Sequence, residues 1–443
     1  MDILQTAKRR KKLPRYLSID YWSNLLLMCY MFTMPFVSAF AFTGTISWPL
    51  IFAVFLFLIM GAKIIQRGEL PPHFLGFDLV IIFFFLFIVV FSYFINGWGN
   101  SKSLNHTVAY VSTFLLFYVT IKFTFFSAPD KDLLLKRILQ FITYTTILSA
   151  LYGNVEFISS NFFGLNLNDY IPRPTEAEKF YNPSVLGLYF RARGFANESG
   201  VYTQLLELFG PIAVYYMFFS KYCTWFKAFK ILSTISIIFS IIFAASSATF
   251  VALPLSILFS SLFYIKQIIK FFARKTWKFY LKSLFILFVV MVINNYLSIY
   301  TSILLSITQK LDSSSLDQRQ DKINFFYSEF SRFSTINKLI GAGPAGSVVL
   351  GFQDSGTIIS LYYNITFELG LIGLSLLLLF MGYCFINSIF IRSKIGIFLM
   401  ISLVSGITHY YVVHDYWVPW FWFNGAFIVF YNKAFPSVKF ENK

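Results

Sequence analysis

Apolar runs about as long as a membrane span recur along nearly the whole chain, and they constrain it more than any other feature. They lie near 22–43, 47–62, 76–95, 104–122, 138–158, 198–219, 230–247, 250–265, 283–304, 358–387, 395–411 and 417–432. A bilayer core about 30 Å thick takes about 20 apolar residues of helix to cross. Only 13% of the residues are charged, at a mean hydropathy of +0.67, whereas soluble domains carry about 25%. A water-soluble fold is therefore excluded. The expected fold is an all-α integral membrane protein, one polytopic domain over residues 1–443 with about twelve transmembrane helices. The first apolar run begins near Trp22, too late and too long for a cleavable signal peptide.

The basic residues orient the spans. With the N-terminus in the cytoplasm, the segments on that side hold 26 of the 36 Lys and Arg. The other ten lie outside, nine of them in two long loops. Long loops translocate whatever their charge, so the short ones are the test, and the short outer loops hold Lys102 alone. Both termini are therefore expected in the cytoplasm. The net charge of +16 is a matter of topology, and no nucleic-acid partner is expected. Cys29, Cys223 and Cys384 are widely separated, and His73, His106, His409 and His414 show no zinc-type spacing. Neither a disulfide framework, a metal site nor a cofactor is expected. The abundant Phe and Tyr, 58 and 27 residues, run through whole spans and read as compositional bias.

The two long outer loops, 159–197 and 305–357, concentrate the chemistry. Loops of this length are usually functional or disordered. In the second, Ile323, Phe326, Phe330 and Phe333 fall on one helical stripe, with Arg319, Lys322 and Glu329 off it. This predicts a short amphipathic helix lying on the membrane or roofing a cavity. Gly341-Ala342-Gly343-Pro344 follows as a turn without the strand and helix of a nucleotide loop. The first loop ends in Arg191, Arg193, Gly194, Phe195, Glu198 and Ser199, directly before an apolar run. Arginine suits bidentate phosphate binding, although an interfacial anchor with Arg and Glu paired to each other fits as well. Arg319 and Asp354 are the stronger candidates of the second loop, beside Arg332. Glu207 and Glu368 lie inside spans, where a carboxylate is either functional or a hydrogen-bonded structural group. His409, His414 and Asp415 stand near the outer end of the eleventh span, as cavity lining or as part of an aromatic belt. Together these residues suggest an arginine-rich outer site suited to an anionic, membrane-anchored substrate such as a lipid pyrophosphate.

Two stretches carry a family likeness. Arg191-x-x-Gly194-Phe195-x-x-Glu198-Ser199 resembles the R-x-x-G-x-x-x-E-P-S stretch of polysaccharide polymerases, with the proline missing. The run from Arg319 through Leu339-Ile340-Gly341 to Asp354-Ser355-Gly356 and Glu368-Leu369-Gly370 is similar to the passage after the large periplasmic loop in that group. Over roughly residues 185–380 the chain resembles the O-antigen polymerase and O-antigen ligase superfamily of bacterial surface-polysaccharide enzymes. Ligases typically carry a histidine where Ser360 stands here, which points to the polymerase branch.

The resemblance implies a metal-independent glycosyltransferase in the bacterial inner membrane, its site facing the periplasm. The growing glycan on undecaprenyl pyrophosphate would be the donor and a fresh lipid-linked repeat unit the acceptor. Arg191, Glu198, Arg319 and Asp354 are the expected catalytic residues, with Glu198 or Asp354 as the base. Arg173, Arg193, Arg332, Glu368 and His414 would bind substrate. A chain-length regulator is the implied protein partner. A lipid-linked oligosaccharide flippase or transporter, or a ligase, is the alternative.

Overall fold

The computed structural model describes residues 18–43, 46–173, 185–186, 189–265, 314–350 and 360–436, with isolated positions at 269, 277 and 284. The described chain is mostly helical. In order it forms α1 (Ile19–Thr33), α2 (Trp48–Arg67), α3 (Phe77–Ser92), α4 (Ser101–Ser112), α5 (Thr120–Ser127) and α6 (Lys131–Phe162). A short pair of strands, β1 (Val185–Leu186) and β2 (Tyr189–Phe190), comes next. Then follow α7 (Ser199–Phe219), α8 (Lys227–Ala244), α9 (Ser247–Phe263), α10 (Ser314–Arg332), α11 (Thr335–Ile340) and α12 (Gly346–Val349). The last three are α13 (Leu361–Phe390), α14 (Lys394–His409) and α15 (Trp420–Ala434). Among the described residues, five helical segments are long and apolar enough to cross a membrane: Trp48–Arg67, Phe77–Gly97, Ser101–Ser127, Lys227–Ala244 and Leu361–Phe390. The apolar run at 283–304 lies outside the described residues.

Local chemistry sets the helix ends. Without water, backbone groups must be satisfied within the segment, and the first N–H groups of a helix need a side chain. Asn100 caps α4 by accepting from the N–H groups of Lys102 and Ser103, and Asp130 caps α6 by accepting from Leu133 at 2.8 Å. Phe77–Gly97 and Ser101–Ser127 each contain a π-helical stretch, Tyr93–Gly97 and Thr113–Val119. Such stretches mark places where a helix departs from regular winding.

The first segment differs from expectation. The apolar run reaches residue 43, but α1 stops at Thr33 and Pro35 follows, which disfavours helix at the residue before it. Residues 34–42 turn back on the first long loop. Ala39 N–H donates to Phe195 O at 3.1 Å and Phe40 N–H to Pro172 O at 2.8 Å.

Helix α15 is the centre of the core. Every residue from Trp420 to Tyr431 is buried, as expected of a helix that is apolar all round. Aromatic rings surround it. Phe423 meets Tyr30, Phe125 and Phe209, and Trp422 meets Phe114 and Phe380. Both indoles find carbonyl acceptors, Trp420 on Met34 O and Trp422 on Tyr416 O, as buried indoles do. A good part of the aromatic excess is thus packing between helices.

Polar contacts sort into two ends. At one, Lys122 Nζ and the Tyr118 hydroxyl each stand 2.6 Å from Asp78 Oδ2, and Asp20 pairs with Lys63 and Arg67. At the other, Ser92 Oγ donates to Ile340 O at 2.7 Å, and Ala342 and Gly343 N–H donate to Phe367 O and Glu368 O. Here α13 is broken at Gly370, at φ 68° and ψ −170°. Gly341 faces it at φ 81°. A Cβ on Gly370 would collide with the carbonyl of Leu339, and one on Gly341 with that of Glu368. Gly370→Ala is therefore expected to lower stability by more than the ~1–2 kcal/mol cost of a left-handed residue alone. Thermal unfolding of the purified variant measures it, and an unchanged midpoint would remove the requirement for glycine.

Candidate functional site

Three of the predicted arginines build the first loop itself. Arg191 Nε donates to Ala244 O at 2.9 Å, at the end of α8. Arg173, buried, donates through Nη2 to Gly194 O at 2.9 Å. Arg193 and Gly194 give their backbone N–H groups to Glu156 Oε2 at 3.0 and 2.7 Å, and the Arg193 Nε stands 3.9 Å from Glu156 Oε1. Gly194 has φ 56° and lies against the Tyr202 ring. Glu156, on α6, is thus the carboxylate around which Arg193 and Gly194 fold. It falls within an apolar run, where a charge is a signal in itself.

The second element is Glu368 on α13, fully buried. Its carboxylate accepts from the Tyr110 hydroxyl at 2.7 Å and from Ala345 N–H at 3.0 Å, and His106 Nδ1 stands 3.5 Å away. The Tyr110 ring stacks on Tyr416 at 4.1 Å. The third is Glu207 on α7, paired with His409 at the end of α14. Oε2 stands 3.0 Å from Nδ1, and both side chains are fully buried.

His414 and Asp415, in the turn between α14 and α15, tie these together. His414 Nε2 is 3.9 Å from Asp415 Oδ1. His414 also lies within electrostatic range of Lys322, Glu198, Glu368 and His106, and Asp415 within range of His409. Five separate parts of the chain meet here: α4, the residue before α7, α10, α13 and the turn after α14. Sequence reasoning named Glu198, Lys322, Glu368, Glu207, His409, His414 and Asp415. It missed His106 and Tyr110, which come from α4.

No protein-family model matches the chain, and no curated protein matches it.

The remaining predicted residues stand as follows. Arg332 is mostly exposed and pairs with Glu329 one turn earlier at 2.9 Å, a surface contact worth little. Arg319 sits in the first half of α10, its side chain outside the described part, and Asp354 lies outside the described residues. Among the described residues no group of three or more His, Cys, Asp or Glu could hold a metal ion. The cluster can bind groups of either sign and can exchange protons. It offers carboxylates at two depths, Glu198 exposed and Glu368 buried, with imidazoles and the Lys322 ammonium beside them.

Burial displaces the two groups of the turn in opposite directions. It pushes the Asp415 carboxyl from 3.8 up to about 6, with the His409 charge pulling back. It pushes the His414 imidazole from 6.5 down to about 4; Lys322 adds to this and Glu198 opposes it. Between about pH 4 and 6 the folded state holds the extra proton at Asp415 and the unfolded state holds it at His414. Stability therefore falls with rising pH through Asp415 and rises through His414, and the two slopes oppose each other. Relative to the parent, Asp415→Asn should gain stability more steeply from pH 4 to 6, and His414→Gln should lose it. Unfolding midpoints across that range test this, and two variants that both track the parent would refute it.

Proposed function

We propose that the protein is a polysaccharide repeat-unit polymerase of the bacterial inner membrane, with about twelve spans, both termini in the cytoplasm and the site above facing the periplasm. One observation carries the reading. Glu198 of the first family-like stretch and Glu368 of the second, far apart in sequence, both lie within electrostatic range of His414, as does Lys322 of the amphipathic helix.

In this reading a sugar hydroxyl of a lipid-linked repeat unit attacks the anomeric carbon of the donor glycan. The bond to undecaprenyl pyrophosphate breaks, and the pyrophosphate leaves with the electron pair. The hydroxyl proton passes to Glu198 as general base. Arg191, in the stretch leading into α7, and Lys322, within range of His414, stabilise the departing charge. Glu368, held by Tyr110 and Ala345, orients the roof over the site. A chain-length regulator is the proposed partner. The ligase alternative is disfavoured by Ser360, which opens α13 where ligases typically place a histidine.

A lipid-linked oligosaccharide flippase is the second reading. What favours it is two fully buried contacts between helices, the Asp78–Lys122 ion pair and the Glu207–His409 hydrogen bond, since ionisable groups within a membrane mark transport pathways. Deleting the gene and resolving the surface polysaccharide on a gel separates the readings. Loss of a polymerase leaves the lipid core capped with one repeat unit. Loss of a flippase or ligase leaves none, and an unchanged ladder would sink all three.

A further inference from the structure

Helices α7 and α9 begin side by side. A Cβ placed on Gly200, in the first turn of α7, would meet only Ser246 Oγ, the residue before α9, at 3.9 Å. Neither helix has a side-chain cap from the residue before it, Glu198 or Ser246. Uncapped first turns present N–H groups and the positive end of the helix dipole, which suit a phosphate. Two buried hydroxyls stand there as well. Ser199 Oγ and Thr249 Oγ1 have no hydrogen-bond partner among the described residues, and both residues are almost wholly buried, at 4% and 1% exposed. Arg191, anchored on Ala244 O, lies beside the turn that enters α9.

Thr249 also lines the top of an apolar groove of about 210 Å³ between α8 and α9. Ile238 and Ile242 form one wall, Leu253 and Pro254 the other. An apolar groove of this size takes a short stretch of one lipid chain, and it ends at a polar mouth flanked by two helix N-termini.

We propose that the first turns of α7 and α9 hold the phosphate of a single-chain polyprenyl lipid, and that the stretch of chain next to the phosphate lies in the α8–α9 groove. The choice of a polyprenyl lipid rests on the polysaccharide reading; the complementarity of groove and mouth does not. The site would seat the donor's diphosphate directly in front of Glu198.

The test uses the full-length protein in nanodiscs with four probes: undecaprenyl phosphate, undecaprenol, phosphatidylglycerol and inorganic phosphate. Undecaprenyl phosphate is expected to bind at least tenfold tighter than each of the others. Gly200→Ala should weaken it tenfold or more by filling the space between the two turns. The melting temperature should hold, because alanine favours a helix over glycine and meets no close neighbour in the empty site. Leu253→Trp, which fills the groove, should weaken the lipid by a similar factor. Equal binding of phosphatidylglycerol would mean ordinary boundary lipid and overturn the proposal. So would parental affinity in Gly200→Ala and Leu253→Trp. A lost ladder on gene deletion with binding indifferent to Gly200→Ala overturns this site alone. A normal ladder with selective binding intact overturns the polymerase reading alone.

Discussion

Lys122→Met should cost the folded protein about 3–5 kcal/mol, the usual loss when one partner of a buried ion pair is removed. Lys122 and Asp78 are both fully buried, 2.6 Å apart, with the Tyr118 hydroxyl on the same carboxylate oxygen and the Phe74 and Phe126 rings near the ammonium. Losing the ammonium leaves a carboxylate in an apolar surround with one hydroxyl for company. The paired change Asp78→Asn with Lys122→Met should recover most of the loss, since no charge is then buried alone. Unfolding midpoints of the two single variants and the double variant, in one detergent, test this. A double variant no more stable than Lys122→Met would mean that the pair is not coupled.

Glu198→Gln should reduce chain extension by roughly 10²- to 10⁴-fold, the range for loss of a general base, without changing the protein level. Glu198 is exposed and its side chain does not cap α7, and glutamine keeps its size and its acceptor oxygen. Arg332→Ala, on an exposed helix face with Glu329, should leave the ladder intact and serves as the control. Arg191→Ala is less clean than its position in the motif suggests, because it also removes the donor to Ala244 O. Long ladders from Glu198→Gln would take the base role from this residue.

The helices were legible because span-length apolar runs have few alternatives. The exception is instructive. Residues 34–42 are as apolar as a span, yet they pack on Pro172 and Phe195 rather than continuing α1. Hydropathy does not separate burial against protein from burial against lipid, and Pro35 was the local signal. The site was half legible. Its carboxylates and His414 stood out because charges are rare in this chain. The roles of the arginines did not, because their partners are backbone carbonyls and a carboxylate on another helix, and carbonyls leave no mark in a sequence. Glu156, Asp78 and Lys122 were open to the same rule that singled out Glu207 and Glu368. At the ends of apolar runs they pass for boundary residues until their partners are known. The Tyr110–Glu368 contact joins positions 258 residues apart, a pairing that no local pattern encodes.

The fit of Gly341 against Gly370 has a mechanical consequence. The carbonyl of Glu368 receives Gly343 N–H, and its carboxylate receives Ala345 N–H. One residue away, Phe367 carries Phe325, Phe326 and Phe333 from α10 and its C-terminal end. The amphipathic helix, the glycine turn and the buried carboxylate are therefore joined by one continuous set of contacts. A displacement of α10 would reach the Glu368 carboxylate through these contacts. In the proposed polymerase, such a lever would let a partner docked on α10 change the chemistry beneath without entering the site.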